Sequence, residues 1–129
     1  MKQVLSPGTS QEETLKFVTD YMQANPDGLD GVWGGWDHAA LGAVQAINES
    51  NQDDIYVTGV DALGIAADEI KKDGPFYATV LQDWSQAVDM TIEFVDSYRE
   101  TGELPEENFI EFEPEIIDRS NVDSFEPKF

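Results

Sequence analysis

The segment Asp30 to Ile47, DGVWGGWDHAALGAVQAI, constrains the fold more than any other part of the chain. Leu29 to Trp33 reads as a buried strand, and Gly34 and Gly35 let the backbone turn sharply after it. Asp37 stands where a helix N-cap belongs. Ala39, Ala40, Leu41, Ala43 and Val44 then follow at helical spacing, so a helix is expected over about His38–Glu49. Side chains on such a junction lie at the carboxyl end of a strand, where ligands bind in open α/β sheets.

The remaining sequence repeats this alternation. Val4-Leu5 reads as a short strand remnant and Ser6-Pro7-Gly8-Thr9 as a turn. Ser10 with Glu13 forms a capping box, opening a helix that carries Leu15, Val18, Tyr21 and Met22 on one face to about Ala24. Asn25-Pro26-Asp27-Gly28 breaks it. Asn51-Gln52-Asp53-Asp54 is a polar turn, and Ile55–Val60 is a strand dominated by β-branched residues, ending at Asp61. Ala62–Lys72 is a helical region closed by Asp73-Gly74-Pro75. Tyr77–Leu81 is the next strand, ending at Gln82. Ser85 caps a long helix to about Thr101, with Val88, Ile92 and Val95 inside, and Gly102 stops it. Phe109–Ile117 alternates apolar and acidic residues, as an edge strand does. The expected architecture is α/β, a mainly parallel sheet with flanking helices and right-handed crossovers. Its core covers residues 10–118, preceded by the remnant and turn at 1–9 and followed by a loosely held tail at 119–129.

At 129 residues the chain is one domain's worth. With 27 acidic against 7 basic residues its net charge is -20, which repels nucleic acid and anionic membranes. The charge is spread along the chain, which favours adaptation to high salt over an acidic tail or a cation-binding surface. The absence of cysteine excludes disulfides, thiolate nucleophiles and sulfur-ligated zinc. No apolar run is long enough to cross a bilayer, and MKQVLSPGTSQEE lacks an apolar signal core, so as written the chain is expected to have no route out of the cytoplasm.

Three strand ends converge on one edge of such a sheet, presenting Trp36 with Asp37, then Asp61, then Gln82 with Asp83 and Trp84. Carboxylate and carboxamide groups exchange several hydrogen bonds with hydroxyls, and an indole offers a flat apolar face to the C–H side of a sugar ring. Each residue has a plainer reading: Asp37 and Ser85 as helix caps, Asp61 as a turn residue before Gly64, Trp33 as core. For Asp61 and Gln82 together the strand-end position favours a ligand role. His38, the sole histidine, reads as a solvent residue in a first helical turn. The acids of Glu103 to Asp118 read as a solvated face, because no Asp-x-Asp-x-Asp-Gly loop is present. No nucleophile elbow, phosphate loop or dinucleotide fingerprint occurs, and no nucleophile–base pair can be assembled, so no enzyme and no cofactor are expected. A phosphoacceptor receiver domain would need a late strand ending in lysine, whereas Lys71 and Lys72 fall on a helix.

The strings ANPDGLDGVWGGWDHAALGAVQAI, DDIYVTGVDALGIAADEIKKDGPFYATVLQDWSQAVDMTIEFV and IIDRSNVDSF cover nearly the whole chain. In this order the chain resembles the C-terminal lobe of ribose-type solute-binding proteins of ABC transporters, the type I periplasmic binding fold. The resemblance implies capture of a sugar or similar polar solute outside the cytoplasm and its delivery to a membrane permease. It implies ligand contacts for Trp36, Asp61 and Gln82, with Asp37 capping the helix and supporting the site. Trp36 stands where the family has asparagine, which exchanges a directional hydrogen-bonding group for a stacking surface. The resemblance also implies an N-terminal lobe, and the first strand or two of this lobe, that the chain does not contain. A truncated product, a split gene or an expressed fragment would fit that pattern. Two further functions share the sequence features: the sensing lobe of a lactose-repressor-type regulator, and a homodimer paired through open strand edges.

Overall fold

The computed structural model describes residues 11–50, 52, 54–103 and 113–127. Among the described residues four helices and four strands alternate: α1 (Gln11–Ala24), β1 (Gly31–Trp33), α2 (Asp37–Glu49), β2 (Tyr56–Val60), α3 (Gly64–Ile70), β3 (Phe76–Leu81), α4 (Trp84–Thr101) and β4 (Glu115–Asp118). They fall into two compact units. One ends at Leu81 and resumes at Ile116; the other is Gln82–Glu115.

In the first unit the strands form one sheet in the order β1-β2-β3-β4. β1 and β2 are parallel, with Val32 opposite Val57 and Trp33 opposite Thr58. β2 and β3 are also parallel, with Gly59 opposite Thr79 and Val60 opposite Val80, after an irregularity between Val57 and Thr58. Both crossovers step in the same direction across the sheet. Right-handedness therefore puts α2 and α3 on one face, and α1 packs on α2. The core lies on that face: Val18 and Met22 from α1, Ala40, Ala43, Val44 and Ile47 from α2, Ile70 from α3, and Ile55, Val57 and Phe76 beneath. Alanine-rich α2 approaches the strands closely. Gly34 is needed for space, because a Cβ there would meet Ala40 Cβ at 2.9 Å. On the sheet's other face Trp33, Tyr56, Tyr77 and Ile116 remain exposed, with the Tyr56 and Tyr77 rings edge-to-face at 5.8 Å.

Element types match the sequence reading, and several side chains do not. Trp33, expected in the core, is 73% exposed, because it shares the bare face with its partner Thr58. Residues 121–127 of the expected loose tail are anchored. Val122 is buried in the core, Phe125 packs against it, and Asn121 Oδ1 accepts from Asp118 N at 2.9 Å. Arg119 adds an ion pair to Asp73 at 2.7 Å and a hydrogen bond to the Gly74 carbonyl at 2.6 Å. Residues Asn25–Gly28 and Asp73–Pro75 break the chain as expected, with Asp27 and Asp73 at φ 60° and 58°. The Val4-Leu5 strand, the Ser6–Thr9 turn, the Ser10 cap, Asn51 and Asp53 of the polar turn, and residues 109–112 of the expected edge strand lie outside the described residues.

In the second unit, α4 is capped by Asp83 and not by Ser85. The Asp83 carboxylate accepts from the Ser85 and Gln86 amides at 3.1 and 3.2 Å, because an acceptor is wanted one position before the first helical residue. Gly102, at φ 73°, ends the helix in the left-handed conformation with its N–H on the Tyr98 carbonyl at 2.8 Å. No α4 residue is buried, so Val88, Ile92 and Val95 are exposed where the sequence placed them inside.

Candidate functional site

The carboxyl ends of β1 and β2 carry the centre of the site. Trp36, half-buried and extended (φ -158°), is the backbone N-cap of α2. Asp37 is therefore the first helical residue, and its side chain does not cap its own helix. It is fully buried and bonds across the sheet: Oδ1 accepts from the Thr79 hydroxyl at 2.7 Å and Oδ2 from the Leu63 amide at 2.8 Å. Leu63 is the N-cap residue of α3, so the carboxylate that opens α2 pins the start of the next helix. Gly59 makes this reach possible. A Cβ at that position would collide with Asp37 Oδ1 and lie 2.9 Å from Phe76 Cζ. Thr79 stands opposite Gly59 on β3, so the missing side chain is the slot through which Asp37 meets its partner.

Asp61 follows β2 directly and is half-buried, with φ 112°; Ala62 after it has φ 53°. Its N–H extends the ladder to the Val80 carbonyl at 2.8 Å. Its carboxylate accepts a backbone hydrogen bond from Asp37 and feels the nearby His38, which places it at the amino end of α2. Burial nevertheless pushes the Asp61 carboxyl above its ordinary range, against both of those influences. Burial raises Asp37 as well. The Thr79 and Leu63 hydrogen bonds oppose that rise, the neighbouring Asp61 charge adds to it, and His38 lowers it. The result is one buried strut and one accessible acceptor with free lone pairs at the mouth of the sheet. That suits hydroxyl groups.

The structure thus brings Asp37, the residue after Trp36, together with the Asp61–Leu63 loop. Gln82 and Trp84 begin the second unit, where Gln82 accepts from Trp84 N at 2.9 Å through its carbonyl and Trp84 is 58% exposed. Thr79 and Gly59 were missed in the sequence. A glycine inside the β-branched Ile55–Val60 run was the available signal, since it often marks close approach by another group. Among the described residues no cluster of three or more His, Cys, Asp or Glu side chains could hold a metal, and no helix is long and apolar enough to cross a membrane.

The family model described as a periplasmic binding protein domain matches residues 1–103. The chain belongs to this family. A curated relative, the D-apiose import binding protein of Actinobacillus succinogenes, is 34% identical over 114 residues, covering 88% of this chain and 36% of its own. A solute-binding protein from Mycobacterium smegmatis with bound glycerol is 31% identical, with a TM-score of 0.70 over 88% of this chain and 38% of that one. The fold of a periplasmic ribose ABC transporter protein from Conexibacter woesei superposes with a TM-score of 0.79 at 24% identity, over 94% of this chain and 40% of that one. The chain therefore spans about a third of the length of the curated relatives it matches.

Proposed function

We propose that this periplasmic binding protein chain forms one wall of a site for a small sugar or polyol. The whole protein would act outside the cytoplasm, binding solute and presenting it to an ABC permease, without covalent chemistry. The observation that carries this reading is Asp61, a carboxylate held accessible at the end of a parallel strand and at the amino end of α2. In this reading Asp61 accepts from ligand hydroxyls and Trp36 offers a stacking face. Asp37 supports Asp61 from beneath. The relative named for D-apiose import and the one holding glycerol support a small sugar or polyol as the ligand. A second lobe, from the part of the family fold this chain does not span, would supply the other wall and close on the ligand.

One wall offers only part of the usual buried area, so the isolated chain should bind weakly, with Kd in the millimolar range, about 4 kcal/mol. Calorimetry at high salt with D-apiose, D-ribose and glycerol tests this. Weak binding that disappears in Asp61→Ala, with the unfolding curve still cooperative, is expected. Submicromolar binding, or binding that survives loss of the Asp61 carboxylate, would overturn it.

A further inference from the structure

Asp61 and Ala62 both adopt left-handed backbone angles, φ 112° and 53°, although neither is glycine. Such residues persist only where their surroundings hold them. Three successive amides show what does so. Asp61 N donates to the Val80 carbonyl at 2.8 Å, Ala62 N to Thr79 Oγ1 at 3.2 Å, and Leu63 N to Asp37 Oδ2 at 2.8 Å. The Thr79 hydroxyl spends its single proton on Asp37 Oδ1 at 2.7 Å, which leaves its lone pairs for Ala62. Thr79 and Asp37 are fully buried and Ala62 nearly so, so bulk water cannot take over these bonds. The adjacent residues Thr79 and Val80 thus grip the backbone on both sides of the Asp61 side chain.

We propose that Thr79 is a positioning residue for Asp61: its buried hydroxyl relays the fixed Asp37 carboxylate to the Ala62 amide and so sets the direction in which Asp61 faces the ligand. Thr79 itself touches no ligand. Valine would suit a buried strand equally well in shape, so the hydroxyl is what this position uses. The ligand half of the proposal rests on the sugar-site reading; the relay does not.

Amide hydrogen exchange and NMR shifts on the full chain test the relay. In the wild type, the Ala62 amide should exchange as slowly as the Asp61 ladder amide. Thr79→Val should speed Ala62 exchange by at least about tenfold and shift the Asp61 and Ala62 signals together with Asp37 at the start of α2, with α1 unaffected. Thr79→Ser, which keeps the hydroxyl, should restore both. Where D-apiose perturbs the Asp61 amide, Thr79→Val should weaken that titration about tenfold and Thr79→Ser should recover it. Absence of any response to D-apiose or D-ribose in the wild type would remove the sugar-site reading and leave the relay to the exchange data. Free-loop exchange of Ala62 in the wild type, unchanged signals in Thr79→Val, or loss of Ala62 protection in Thr79→Ser would overturn the relay. Should the valine variant not fold, the wild-type and serine measurements decide.

Discussion

At the scale of single residues, Gly59 and Asp37 are two halves of one requirement. A carboxylate buried beside a strand needs room and partners, and here the room is a missing side chain and the partners are Thr79 and Leu63. Gly59→Ala is expected to cost about 1–3 kcal/mol by overpacking, a drop in Tm of roughly 5 °C or more by calorimetry. The two raised carboxyls also fix a sign. Asp37 and Asp61 bind protons more tightly folded than unfolded, so their contribution is fully present below the ordinary carboxylate range. It is lost as pH rises through their elevated values. Tm should therefore climb as pH is lowered from 7 toward the upper edge of that range at constant ionic strength, with a shallower slope in Asp61→Asn. Asp118, held low by hydrogen bonds to Ser120, acts oppositely and loses its contribution only in stronger acid.

At the scale of elements, the alternation of strands and helices was readable because each is written in local signals: β-branched runs, alanine-rich helical spacing, and Gly or Asp punctuation. Boundaries moved by a residue or two where the cap was misassigned. Asp37 looked like a cap because aspartate before an apolar helix usually is one, but its oxygens are already committed to β3 and α3. α4 departs from its sequence pattern for another reason. Val88, Ile92 and Val95 form an amphipathic stripe that implies burial, but periodicity reveals only that a face is apolar, not whether anything covers it. With no buried residue, α4 is the least protected helix. Its amides should exchange faster than those of α2 by about a hundredfold or more in a hydrogen-exchange experiment. Gly102→Ala, which forces a Cβ into a left-handed cap, should lower stability by about 1 kcal/mol within this unit.

At the scale of the whole molecule, 27 acidic residues against 7 basic ones set the response to salt. Self-repulsion weakens as the screening length falls from about 10 Å at 0.1 M to about 3 Å at 1 M. Tm should therefore rise over that range, and a melt that improved on removal of salt would contradict salt adaptation. A parallel sheet normally carries cover on both faces, whereas among the described residues Trp33, Tyr56, Tyr77 and Ile116 are exposed on one of them. That fits a chain spanning about a third of its curated relatives. Family, fold class and strand-end location of the candidate site were determined by the sequence itself, because short-range patterns and motif order encode them. Tertiary structure alone decided that Asp37 is a strut, that Thr79 stands behind Asp61, that Val122 is core and that Trp33 is not. The physical reason is distance along the chain: Asp37 and Thr79 are 42 positions apart, and no local propensity reports a hydrogen bond made across that separation.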